Sequence, residues 1–322
     1  MPRPSCSDED FIKLWQVHKS PTVVARTLGI SERAVHMRRN AIENRSGVAL
    51  DSTNRPQRQT RAETSGAVYR LTVDSGVVLV CSDVHVWPGE WTTMQRAFIA
   101  FCERFAHKGN LEAVIVNGDV FDGATISRHA SIGWEAKPSV KQELDAVDAW
   151  LGAVTKASGK AKRIWPAGNH DLRYETRIAN AAPEYREVKG VHLKDHYPEW
   201  EPCWRVDIND DIVVKHRMKG GEHADWNNVM RAGKTTVTGH DHRANVTPYT
   251  DFRGTRWGVR CGYMGEHQTD GQFVHYMEAD EPNWMPAFVV MTFVGGKLLW
   301  PELVTKHADG VVNFRGELIE AP

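Results

Sequence analysis

Five short clusters carry the chemistry available to this sequence: Asp83-Val84-His85, Asp119-Val120-Phe121-Asp122, Asn169-His170-Asp171, a lone His216, and His240-Asp241-His242. Each follows an apolar run, the first of them Val78-Leu79-Val80-Cys81. Ligands gather beyond the carboxyl ends of buried parallel strands, so polar groups at those ends can converge. A side-chain period of two puts Asp83 and His85 on one side while extended geometry lasts. Carboxylate, amide and imidazole without thiolate suit Mn²⁺, Fe, Ni²⁺ or Zn²⁺ in five- or six-coordinate centres. Asp83, His85, Asp119, Asn169, His170, His216, His240 and His242 are more donors than one ion needs. Two ions sharing a bridging carboxylate would use them all.

Positioning these groups requires strands that alternate with helices. Strands are predicted at 67–73, 77–82, 111–116 and 161–165. Helices are predicted at 92–107, with Met94, Ala97, Phe98, Phe101 and Phe105 on one face, and from a Ser139 cap to about 156. This alternation gives a parallel, layered sheet. After a polar helical region at 174–187, strands are expected at 203–208 and 212–214 around Asn209-Asp210-Asp211, a helix at 224–232 and a strand at 235–238. Short strands from there to 301 are expected to build a second sheet packed on the first. A polar excursion at 123–138 holds Arg128, His129 and Trp134; with Arg217, the first two are candidates to grip phosphate, and the tryptophan to stack a base. Asp241 is expected to face solvent.

D-x-H, G-D-x-x-D, G-N-H-D, a single histidine and G-H-x-H, in this order between about residues 77 and 242, resemble the calcineurin-like metallophosphoesterase superfamily. The resemblance implies an α/β fold, a four-layer α/β/β/α sandwich, over 67–322. It implies a first metal held by Asp83, His85 and His242, a second by Asn169, His216 and His240, and Asp119 as the bridge, with Mn²⁺ favoured. His170 is then the general acid, oriented by Asp171, and Asp122 ties down a histidine or a loop behind the ligands. Arg217 stands where the family often has glycine, so His223 remains an alternative to His216. Two cations would clamp phosphoryl oxygens and lower the pKa of a bridging water, making hydroxide available for attack. The protein-phosphatase branch usually places arginine after the last aspartate of the second motif; here Gly123 follows Asp122. The layout is similar to phage- or prophage-type phosphoesterases related to the nuclease branch.

Ahead of this domain, 1–45 reads as three short helices. Ser7 caps the first, Ser20-Pro21 opens the second, Gly29 ends it, and Ile30-Ser31 restarts a third. The pattern resembles a small all-α helix-turn-helix domain, with Arg33, His36, Arg39 and Asn40 shown to solvent as candidate DNA contacts. One such unit binds DNA weakly, so a homodimer or a second surface is expected to supply specificity. Residues 46–66, rich in Ser, Thr, Gln and Arg, read as a flexible linker.

The formal net charge of −1 selects no nucleic-acid or membrane partner by itself. Five scattered cysteines without a C-x-x-C argue against disulfides and thiolate zinc, and fit a reducing cytoplasm. No apolar run reaches transmembrane length. The leading expectation is a dinuclear phosphodiesterase or nuclease acting on DNA or nucleotides. The rivals are a phosphomonoesterase and a DNA-binding regulator with a vestigial catalytic domain.

Overall fold

The computed structural model describes residues 6–46, 50, 68–129, 133–134, 136–265 and 282–322. The chain divides into two compact units, Met1–Thr64 and Ser65–Pro322. The expected linker lies outside the described residues, apart from Ser46 and Leu50.

In the first unit α1 (Asp8–His18), α2 (Pro21–Leu28) and α3 (Glu32–Ser46) pack around Phe11, Trp15, Val24, Val35 and Ile42. Ser7 Oγ accepts from Asp10 N at 3.1 Å, and Gly29 ends α2 at φ 66°. Leu50 is buried in this core, so the helical unit extends past residue 45. Arg39 corrects the sequence reading. It is buried, not shown to solvent, with its guanidinium carbon 5.1 Å from the Trp15 ring and Nε 3.6 Å from Glu43. A long arginine stem covers apolar surface readily, and an indole face attracts its cation. Arg33, His36 and Asn40 are exposed along α3.

The second unit opens with β1 (Val68–Leu71), β2 (Gly76–Cys81), α4 (Thr93–His107), β3 (Leu111–Val116), α5 (Val140–Ser158), β4 (Lys162–Pro166) and α6 (Leu172–Ala181). Thr92 with Gln95 and Ser139 with Gln142 form reciprocal capping boxes that start α4 and α5. There follow β5 (Glu201–Cys203), β6 (Arg205–Ile208), β7 (Ile212–Val214), α7 (Ala224–Ala232), β8 (Thr235–Thr238), β9 (Ala244–Asp251) and β10 (Gly254–Cys261). The chain closes with β11 (Ala287–Val294), β12 (Lys297–Leu298), β13 (Glu302–Ala308), β14 (Val311–Phe314) and β15 (Glu317–Glu320).

Two sheets result. One runs β1-β6-β7-β8-β10-β9; the other runs β15-β14-β13-β11-β2-β3-β4-β5, with β12 beside β11. β2 shows why its sequence is apolar throughout. Leu79 and Cys81 pack toward Phe98, Phe101 and Trp150 of α4 and α5, while Val78 and Val80 pack toward Val206, Val237 and Val259 of the other sheet. With α7 against β8, β9 and β10, the layers read α/β/β/α.

Two expectations change. The strand predicted at 203–208 is two strands: β5 pairs with β4 in the large sheet and β6 with β1 in the small one. Periodicity reports burial, not partners, so it cannot register a strand changing sheets. Likewise, among the described residues, only β9 and β10 of the later strands build the second sheet. β11 pairs antiparallel with β2, and β13–β15 extend the first.

Candidate metal centre

The site forms at the carboxyl ends of β2, β3 and β4 from one sheet and β7 and β8 from the other. Asp83, His85 and His242 bring ligand atoms within 4.8 Å of one another, as do Asp119, His216 and His240. His85, Asp122 and His170 make a third such group. The chain must turn sharply as it leaves each strand. Asp83, His85, Asp119, His240 and His242 all have left-handed backbone, with φ between 43° and 76°. A non-glycine residue held there costs on the order of 1 kcal/mol or more, and such strain collects at functional sites. Glycines allow the loops to touch. A Cβ on Gly118 would lie 2.7 Å from Gly168 Cα and from the His216 ring, and one on Gly239 would collide with Ser82 and Asp83.

Hydrogen bonds lock the donors. The amides of His240 and His170 donate to Asp83 Oδ2 and Asp119 Oδ1, each at 2.8 Å. His216 Nδ1 donates to the Asn117 carbonyl at 2.7 Å, leaving Nε2 toward Asp119 Oδ2, 3.1 Å away. His85 Nδ1 donates to Asp122 Oδ1 at 3.1 Å. Fixing one imidazole nitrogen this way presents the other to a cation. Asn169 Oδ1 is buried without a hydrogen-bond partner among the described residues, as a ligand atom aimed at a cation would be. The donor set therefore fits divalent metal.

The charges agree. Burial opposes ionisation of Asp83, yet His216, His242 and His85 hold its carboxyl well below the usual range. Burial and the nearby His170 lower His85 despite Asp122, and burial with His216 lowers His240, so both favour the neutral form that binds metal. His216 behaves oppositely. Burial disfavours its charge, but Asp83 and Asp119 outweigh it and push it up to about 9. That proton stabilises the metal-free fold fully below the ordinary histidine value of 6.5, and its contribution is lost as pH rises through about 9. The Tm of chelator-treated protein is thus expected to fall across this window, while the rise in Tm on adding Mn²⁺ grows, because cation and proton compete for Nε2. Thermal denaturation with and without metal at both pH values checks it.

Asp122 meets the histidine expected of it, His85, and also takes the role expected of Asp171. His170 Nδ1 lies 2.6 Å from Asp122 Oδ1, the same oxygen that receives His85. Asp171 does not orient His170. Its carboxylate accepts from the amides of Asp119, Val120, Phe121 and Gly168 and from Trp165 Nε1, so it holds the β3 and β4 loops in register. Asp122→Asn is expected to weaken metal binding about 10- to 100-fold, and to lower turnover at saturating metal, because one oxygen serves both rings. Metal titration alongside kcat separates the two losses.

Of the other sequence candidates, Arg128, His129 and Arg217 line a cavity of about 710 Å³ that opens on Asn169, His170 and His240. His223 is exposed at the start of α7, away from the cluster that holds His216. Trp134 is fully exposed. Asp241 does not face open solvent: it pairs at 3.1 Å with Arg260 Nη1.

Three residues escaped the sequence reading. Arg173 Nη1 donates to the Asp122 carbonyl at 2.9 Å, and its Nη2 lies 3.1 Å from His170 Nε2. Its signal in the sequence was a position three after His170 on a helix. Glu143 accepts from Gly123 and Ala124 at 2.6 and 3.0 Å, pinning the loop after Asp122. Arg260 is buried, and joins Asp241 to Asp225 and the carbonyls of Gly221 and Glu222. Arg260→Met is expected to cost about 3 kcal/mol in urea denaturation, since it leaves the buried Asp225 carboxylate without its cation.

The matching family profile, calcineurin-like phosphoesterase, spans residues 76–281, more than half of the chain. The chain belongs to this family, whose members are hydrolases of phosphoesters that typically bind two divalent metals. Two curated relatives are the Gene 54 proteins of Mycobacterium phages L5 and D29, each 26% identical over 155 residues, covering 42% of this chain and 58% of the relative. The match thus spans somewhat over half of each relative's length. Among solved structures, zinc-complexed Vps29 of Entamoeba histolytica is 14% identical, covering 76% of this chain and 99% of its own, at a TM-score of 0.39. A serine/threonine phosphatase of Saccharomyces cerevisiae is 12% identical, with coverages of 75% and 85% and a TM-score of 0.34. The nuclease MPE of Pseudomonas putida is 14% identical, with coverages of 70% and 86% and a TM-score of 0.30. No helix among the described residues is long and apolar enough to cross a membrane.

Proposed function

We propose that the chain is a metal-dependent phosphodiesterase acting on DNA or nucleotides. The supporting observation is the cavity that starts at Asn169, His170 and His240 and runs on along α6, leaving room for a substituent beyond the phosphorus. Asp83, His85 and His242 would hold one cation, Asn169, His216 and His240 another, and Asp119 would lie between them. Bound there, divalent ions supply Lewis acidity and a low-pKa water. His170 keeps its Nδ1 on Asp122, so Nε2 is the atom that protonates the departing oxygen. Burial opposes charge on His170, but Asp122 and Asp119 raise its pKa, as a proton donor near neutrality requires. Arg173, beside Nε2, moves onto a phosphate oxygen when substrate enters.

The three-helix unit is assigned the role of a DNA contact, supported by Arg33, His36 and Asn40 exposed at i, i+3 and i+7 of α3. Purified protein with Mn²⁺, assayed on bis-p-nitrophenyl phosphate, p-nitrophenyl phosphate and single- and double-stranded DNA, tests the whole reading. Diester and DNA hydrolysis is expected; monoester turnover alone sinks the reading, and DNA binding without any turnover points to a regulator.

A further inference from the structure

The α6 side of the cavity is lined by Arg173, Arg177 and Asn180, with Arg128 and Arg217 arriving from two loops, and no carboxylate is among its described lining residues. Positions 173, 177 and 180 fall at i, i+4 and i+7, a single stripe of a helix. Four residues of helical rise set Arg177 about 6 Å beyond Arg173, away from the metal-ligand end. Arg173 is already engaged with His170 and the Asp122 carbonyl. Arg128, Arg177 and Arg217 have neither a hydrogen bond nor an ion pair among the described residues.

Three guanidinium groups without a partner among the described residues repel each other around one cavity until an anion enters. Their planar forks match phosphate oxygens two at a time. A single phosphate at the ligand cluster satisfies His170 and Arg173 but leaves Arg177 a helical turn away with nothing to bind. We propose that this part of the cavity is a second phosphate subsite, with Arg177 as its main contact. The substrate is then a phosphoester carrying a further phosphate next to the scissile one, as a nucleic-acid strand does. This rests on the phosphoester reading above and narrows it.

Calorimetry on the full-length, Mn²⁺-loaded protein tests it with thymidine 5′-phosphate, thymidine 3′,5′-bisphosphate and thymidine 5′-triphosphate. The bisphosphate is expected to bind at least about tenfold tighter than the monophosphate, the size of one charged hydrogen-bonded contact. Arg177→Gln is expected to remove that advantage, and Arg177→Lys to keep part of it. Whichever polyphosphorylated ligand loses its advantage in Arg177→Gln identifies the source, a strand or a nucleoside polyphosphate. Equal affinities for all three ligands, or an advantage untouched by Arg177→Gln, overturn the subsite. Hydrolysis of bis-p-nitrophenyl phosphate by the unaltered protein reports separately on the diester reading.

Discussion

Replacing Asp119 by asparagine is expected to lower metal-dependent phosphoester hydrolysis about a thousandfold, or about 4 kcal/mol of barrier. The carboxylate stands at the centre of the cluster: Oδ1 receives the His170 amide at 2.8 Å, and Oδ2 lies 3.1 Å from His216 Nε2 and 3.9 Å from His170 Nε2. Asparagine keeps the volume, loses the charge, and turns an amino group toward one of these neighbours. Without Asp119, His216 also loses a partner that keeps it protonated. Elemental analysis should find fewer than two ions per chain, with circular dichroism unchanged. Near-normal turnover with both ions retained would remove Asp119 from the centre.

His170→Asn is expected to separate substrates by leaving group. Esters that release an alkoxide need the proton held at Nε2 and should lose about 10²- to 10⁴-fold in kcat. A p-nitrophenolate departs without one, so its esters should lose far less. Because Asp122 and Asp119 raise the His170 pKa above the ordinary 6.5, the alkaline limb of the pH profile should lie above that value and vanish in the variant. Equal losses on both ester types, or lost metal, would make His170 a structural or ligand residue instead.

What could be read from the sequence is what chain-local pattern carries. Asp83, His85, Asp119, Asn169, His216, His240 and His242 each come shortly after a strand that could be read from chain-local pattern, so their places at strand ends needed no tertiary information. α4, α5 and α7 announced themselves through Thr92, Ser139 and the 224–232 pattern for similar reasons. Other features depend on distant partners. Nothing in Cys203-Trp204-Arg205 shows that the chain leaves one sheet for the other there. Arg39 looks polar until Trp15 lies beneath it. Asp122 and Asp171 are equivalent as letters. Only the fold reveals that one meets two imidazoles and the other a row of backbone amides.

The contribution of both sheets to one cluster bears on how the domain assembles. Asp83 and Asp119 come from the large sheet, His216 and His240 from the small one, and the space between them does not exist until the two sheets have docked. A cation captured there acts as a clasp across the seam. Its binding free energy becomes folding free energy for the whole unit, since partly assembled chains cannot share it. Mutations deep between the sheets, at Val80, Ile115 or Val237, would therefore be felt as weakened metal affinity far from any ligand.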